Sequence, residues 1–215
     1  HTAYRRQRQM CIRDRYYMTP KWQQFYKVAL YIPVVLPASV VAVMWKFMLN
    51  KDIGLVNTLL RLVGLDNLTH AWIGEKSTAL GTVIAVNTWQ YIGFTMVLFY
   101  IAMMNISKDV LESAAVDGAT KKDLFFNFFL PLTAGTTETN VILSISGGMK
   151  SFALFYMLTG GGPGKATTVV AQLIYTTAFV DFKFYRALAM STVLFIIILT
   201  LVLISRLIGR RYNYE

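Results

Sequence analysis

The chain has 215 residues, 55% apolar and only 15% charged, with a mean hydropathy of +0.48 and a formal charge of +10. Soluble domains carry about 25% charged residues, so much Leu, Ile, Val and Phe excludes intrinsic disorder, and a single cysteine, Cys11, excludes a disulfide scaffold. The basic excess is not that of a nucleic-acid binder, which needs a basic face interleaved with stacking aromatics.

Five of the basic residues (Arg5, Arg6, Arg8, Arg13 and Arg15) crowd the start, and most of the others flank apolar runs. The chain opens at His1, and no apolar core follows these arginines as a signal peptide would require. The string from Arg5 to Arg15 resembles translated adaptor read-through. Residues 1–16 are therefore expected to be a non-native or disordered segment ahead of a membrane domain over 17–215. Without residues 1–15 the formal charge falls from +10 to +6.

Crossing roughly 30 Å of hydrocarbon takes about 20 mainly apolar residues, and four stretches qualify. The first, about 25–48, is uncharged from Val28 to Trp45 and contains Pro33 and Pro37. Neighbouring helices can satisfy carbonyls freed by proline, so a kinked span is expected. The second, about 78–106, lies in the uncharged run Ser77–Ser107, with Trp89 and Gln90 at its middle facing protein or a pore instead of lipid. The third, about 133–158, begins polar, turns apolar, and is interrupted by Gly147, Gly148 and Lys150. The fourth, about 186–206, ends at Arg206, Arg210 and Arg211.

With four spans both termini share a side. The N-terminal flank, the 108–123 loop and the C-terminus carry thirteen Lys/Arg, against five in the loops 49–78 and 159–185. Without the first five arginines the balance is eight to five, with the same sign. Basic residues favour the cytoplasmic side, which puts the termini and the central loop there.

That loop, 107–131, contains two short helices. Ser107 is a good N-cap, and Asp109 and Glu112 lie near the end where the helix dipole favours negative charge. Val110, Leu111, Ala114 and Ala115 recur at helical spacing, Gly118 permits a left-handed turn that ends the helix, and a second helix follows from about Thr120 to Phe129. A helix of two to three turns is marginal alone, so its apolar stripe needs a surface. Headgroups are one possibility. Interfacial helices, however, usually carry basic polar faces, and Asp109, Glu112 and Asp117 fit a protein partner better.

The loop resembles the EAA loop of ABC importer permeases. Glu112, Ala114, Asp117, Gly118, Ala119, Phe128, Leu130 and Pro131 stand in register with that pattern, with Ser113 in place of an alanine and Phe128 in place of isoleucine. Leu158-Thr159-Gly160-Gly161-Gly162-Pro163 is similar to a stretch of maltose-type carbohydrate permeases, as are Trp45-Lys46-Phe47-Met48 and Gly54-Leu55-Val56-Asn57. The likeness covers about 25–212. It implies an all-α polytopic bundle with the type I importer (MetI-like) permease core, four spans being present of a usual six, in a bacterial-type inner membrane.

The same resemblance implies no enzyme activity and no cofactor, ATP hydrolysis falling to separate cytoplasmic ABC ATPase subunits. Other implied partners are a second homologous permease subunit, an extracytoplasmic solute-binding protein and the lipid bilayer. It makes Glu112, Ser113, Ala114, Ala115, Asp117, Gly118, Ala119, Leu130 and Pro131 candidates for coupling to the ATPase. It also places a substrate path in the third span, with Ser146, Gly147, Ser151, Phe152 and Tyr156 as candidates. Aromatic faces suit sugar rings, while a packing role for Gly147 is the plainer alternative. Ala153 stands where many carbohydrate members carry an acid.

Other chemistry is poorly supported. Gly160–Ala166 is not a phosphate-binding P-loop, because Thr159 occupies the first glycine position and Ala166 replaces the hydroxyl that holds magnesium. Two histidines without a cysteine pair make no ligand set, and His70 reads as a solvated loop residue. Glu138 is either an intramembrane proton site or gate, or an acid close enough to the interface to find water. Lys150 either snorkels to headgroups or lines a pore. Carbohydrate uptake driven by ATP is thus the expected function. The alternatives are an ion-coupled secondary transporter or channel, a non-transporting scaffold, or an ABC permease for a solute such as a glycerol phosphate.

Overall fold

The structure, a computed structural model, describes residues 20–209, without the side chains of residues 20–23, 108, 115 and 121. The expectations for residues 1–16 and for Arg210 and Arg211 lie outside it. Among the described residues there are helices and turns but no strand, as an all-α bundle requires. The longer helices are α1 (Pro20–Val35), α2 (Ala38–Met48), α3 (Leu55–Leu62), α4 (Ala79–Met104) and α5 (Lys108–Val116). A helical segment over 121–132 follows, π-helical across Leu124–Phe129. The remainder are α6 (Ala134–Lys150), α7 (Ala153–Thr159), α8 (Val170–Tyr175, continued by a π-helical turn to Val180) and α9 (Phe184–Gly209).

Helices α4 and α9, of 26 residues each, are long and apolar enough to cross a membrane. At 1.5 Å per residue each reaches about 39 Å. The other two expected spans are bent pairs, α1 with α2 at 101° and α6 with α7 at 46°, so the described residues hold two helices able to cross, or up to four spans if each pair is one. The kink expected of the first is sharp and falls at Pro37 alone. Pro33 is accommodated inside α1, while the chain breaks at Pro37, which lacks an N–H and disfavours helical geometry at Leu36. Helix α2 then starts afresh, with Pro37 extended at φ −56°, ψ 139°.

Helix α1 packs on α4, α2 on α7, and α6 on α9, with α4 also touching α6. The α1–α4 crossing is close because Gly93 has no side chain: a Cβ there would overlap the Leu30 carbonyl oxygen. One turn earlier on α4, buried Gln90 donates from Nε2 to the Leu36 carbonyl at 3.2 Å. The buried apolar cluster joins Val41 and Ala42 of α2, Val83 and Val86 of α4, and Leu154, Phe155 and Leu158 of α7, with Leu49. It lies toward the end of the bundle that carries the loops 49–78 and 160–183.

The 49–78 loop is tied by one buried asparagine. Asn57 donates to the carbonyls of Lys51 (3.0 Å) and His70 (2.9 Å) and accepts from the Trp72 indole N–H at 2.7 Å. His70 is not simply solvated, since its Nδ1 lies 3.1 Å from Glu75 Oε2. The other Glu75 oxygen accepts the Ala71 amide at 2.9 Å. That amide, followed by the His70 imidazole and Lys51, holds the Glu75 pKa below its ordinary value.

Two outcomes follow. Gly93→Ala should cost about 1–3 kcal/mol of stability as backbone and Cβ compete for one space, read as a lower midpoint in thermal unfolding of the solubilised protein. Gly81→Ala, whose Cβ meets nothing within 4 Å, should not. Because the Glu75 pKa is depressed in the fold, its carboxylate stabilises the loop at neutral pH, and the effect fades as pH falls through the lowered value. Hydrogen exchange should show Ala71 better protected in the wild type than in Glu75→Ala at pH 7, with the difference vanishing in acid.

Candidate functional site

The 107–131 loop folds as two helices with defined ends. Helix α5 closes on Gly118, whose φ of +79° is left-handed, and the Ala119 amide returns to the Ala114 carbonyl at 3.0 Å, the 6→1 bond of a Schellman ending. Two residues on, Thr120 and Asp123 form a reciprocal capping box. The Thr120 amide donates to Asp123 Oδ2 at 2.9 Å, and the Asp123 amide donates to Thr120 Oγ1 at 3.3 Å. The Thr120 hydroxyl adds a 2.6 Å bond to the same oxygen, and with the Thr120 amide it lowers the Asp123 pKa. This box went unnoticed in the sequence, although Thr-x-x-Asp is a signal of the kind that could have shown it.

The expected apolar stripe does not face outward. Ala114 is buried at 3% exposure, and Val110 and Leu111 are half-buried, so the stripe is turned into the chain itself. What α5 offers outward is Glu112, Ser113 and Asp117, with Val116 at 86% exposure among them. Ser113 Oγ donates to its own helix at Val110 O, 3.0 Å away. Ala115 lies on α5, but its side chain is outside the described part. Ala119 is half-buried, while Leu130 and Pro131 are exposed at the end of the second helix.

Leu130 and Pro131 also line a groove of about 750 Å³ between α6 and α9, together with Phe126, Glu138 and Ile208. Half-buried Glu138 sits against α9: a Cβ at Gly209 would meet its carboxyl group. The acid is thus packed between two helices at the same end of the bundle as the 107–131 loop.

The third-span candidates divide. Ser151 leaves the helix in extended geometry (φ −63°, ψ 118°) and marks the α6–α7 break. Directly after it, Phe152 stacks on Tyr156 with centroids 5.1 Å apart and planes at 23°. Tyr175 of α8 closes the group at 4.9 Å from Phe152 and 5.7 Å from Tyr156, and Phe179 extends it at 5.3 Å from Tyr175. The latter two rings were missed, because nothing in the sequence shows that α8 returns beside α7. Ser146, on α6, spends its hydroxyl on Leu143 O at 3.3 Å. Gly147 has open space where a Cβ would go, so it serves no close helix contact within this chain. Lys150, at the end of α6, is exposed.

The α7–α8 connection is held internally. Buried Thr167 donates to Gly162 O at 2.7 Å and shares a 2.6 Å hydroxyl contact with Thr159, and buried Gln172 donates to Gly160 O at 2.8 Å. Side chains thus bind the glycine carbonyls, whereas a phosphate loop would present amides outward. Deeper in the bundle, Trp45 packs edge-on against Trp89 at 5.4 Å. Buried polar atoms there lack partners among the described residues: Trp45 Nε1, Asn87 Oδ1 and Gln90 Oε1. Of these residues Asn87 carries no signal in the sequence.

Residues 15–214 match the family model described as the binding-protein-dependent transport system inner membrane component. The chain is 38% identical over 185 residues to a probable ABC transporter permease protein, YurN, of Bacillus subtilis, covering 86% of this chain and 63% of the relative. It is 31% identical over 188 residues to the diacetylchitobiose uptake system permease protein NgcF of Streptomyces coelicolor, covering 86% of this chain and 53% of the relative. In fold it matches a bacterial ABC transporter involved in importing the acidic polysaccharide alginate, with a TM-score of 0.83 at 22% identity over 93% of this chain and 70% of that one. The alginate transporter is also solved in complex with an alginate pentasaccharide-bound periplasmic protein. The chain thus spans less than two thirds of the length of these two relatives, and it belongs to the family of binding-protein-dependent transport system inner membrane components.

Proposed function

We propose that the chain is a membrane-spanning permease subunit of an ATP-driven importer for a carbohydrate. The observation that carries this is the outward face of α5: Glu112, Ser113, Val116 and Asp117 stand exposed on a short helix closed by its own Schellman turn and followed by a capped second helix. A small apolar residue among acids suits a groove with a basic rim, which a cytoplasmic ATPase subunit would supply. Rigid ends let such a helix pass on a displacement without unwinding. In this reading closure of two ATPase subunits on ATP moves the 107–131 loop, and the bundle rocks between outward and inward access. The termini and this loop are cytoplasmic, a second homologous permease completes the pore, and an extracytoplasmic binding protein delivers solute over the 49–78 and 159–185 loops.

For the solute path, the aromatic group at Phe152 and Tyr156 offers ring faces, and the unpartnered oxygens of Asn87 and Gln90 can accept from hydroxyls while the Trp45 indole donates. That set is uncharged, which favours a neutral sugar over a glycerol phosphate. The ion-coupled alternative draws on the discontinuous α1–α2 pair, since broken helices can expose carbonyls to ions. Here the freed Leu36 carbonyl already accepts from Gln90.

Glu112→Lys or Gly118→Asp should abolish co-purification of the ATPase and reduce uptake by about tenfold or more, as loss of an interface anchor does. Retention of the ATPase by both variants would overturn the coupling assignment. Phe152→Ala should raise the KM of uptake severalfold, up to about tenfold, with ATPase retention unchanged. Uptake that survives ATP depletion but stops when ion gradients collapse would favour the secondary transporter.

A further inference from the structure

Helix α3 carries an apolar face that nothing in this chain covers. Leu55, Leu59 and Leu62 recur at helical spacing on one side, and Ile53 and Val63 extend the strip at 78% and 74% exposure. The opposite side is anchored: Val56 packs on the buried cluster, and Asn57 is fully buried in its three hydrogen bonds. Rotation of α3 to hide the leucines is therefore blocked by the Asn57 network. The polar Thr58 and Arg61 fall on a third side, and Arg61 is tied back to the carbonyls of Lys51 and Asp52 at 3.3 and 3.4 Å.

We infer that α3 lies along the surface of the bilayer at the end of the bundle opposite the 107–131 loop, with Leu55, Leu59 and Leu62 dipped into the acyl boundary of that leaflet. Three observations select lipid as the occupant. The helix starts only residues 49–54 beyond α2, and Val56 packs against the end of the membrane bundle, so the strip sits at the level where the spans leave the hydrocarbon. The preceding helix α2 likewise leaves Val40, Val43 and Phe47 uncovered, in a chain whose family is an inner membrane component. Its flank also carries Lys51 and Arg61 against the one acid Asp52, a basic excess of the sign that headgroup phosphates favour. An apolar strip of this kind facing water would be a liability, whereas at the interface it stabilises the end of the α1–α2 pair. This inference rests on membrane residence and is independent of the solute or of ATP coupling.

The test uses the complete importer, isolated with its partner subunits and reconstituted in phosphatidylcholine vesicles. In a Cys11→Ser background, Leu59→Cys and Leu62→Cys carry an environment-sensitive fluorophore, and Asp66→Cys serves as the comparison. Vesicles doped with lipid bearing a shallow nitroxide quencher should dim the labels at 59 and 62 by at least roughly twofold and leave 66 little changed. Dimming of those labels by aqueous iodide but not by the lipid quencher would overturn the inference in favour of a solvent-facing helix. Shielding from both quenchers would overturn it in favour of a protein partner. Uptake activity of each labelled variant shows that the importer is assembled, and a loss of activity in one leucine variant leaves the other to decide.

Discussion

The break at Pro37 is the constraint around which the bundle is arranged. Inside hydrocarbon an unpaired carbonyl costs several kcal/mol, so a bend of 101° in an apolar segment can persist only where another group replaces the lost helical donor. Gln90 does so for Leu36. It can reach because Gly93, one turn further along the same face of α4, lets α1 approach to backbone contact. A donor and an absent side chain, three residues apart, thus fix how α1 and α2 sit on α4. The α2 position in turn sets the buried cluster that receives α7.

The two loops at the far end of the bundle use the same economy. Loop carbonyls are bound by buried side chains of the loop itself: Asn57 for Lys51 and His70, Gln172 for Gly160, and Thr167 for Gly162. Such loops are held by polar networks rather than by a large core, which matters in a protein that buries few side chains. Most large apolar side chains among the described residues are exposed, as expected where lipid supplies the surroundings.

Periodicity and charge made the long elements legible in the sequence. Helix α4 falls within its expected run and α9 covers its own with two or three residues more at each end, because a stretch of uniform hydropathy has one stable solution in lipid. The ends of α5 were equally readable, since Gly118 and its neighbours specify a turn by local chemistry. Contacts between distant elements were not. The depth of the bend at Pro37 depends on Gln90, 53 residues further along the chain, and the aromatic group at Phe152 depends on Tyr175 arriving from α8. Gly147 shows the converse case. Small residues suggest tight helix contact, but the space around it is open within this chain.

The orientation of α5 changes how its interaction must be understood. An outward apolar stripe would bind by area and would be tolerant of partner and angle. With Ala114 turned inward and Val116 left among Glu112, Ser113 and Asp117, the exposed face is small and mostly polar, and the proposed contact would draw its specificity from charge. Charged contacts of this kind fix register and suppress wrong partners more than they add affinity. Under the proposed coupling the inward stripe also matters mechanically: a push on the acidic face would pass through Ala114 and its half-buried neighbours into the chain.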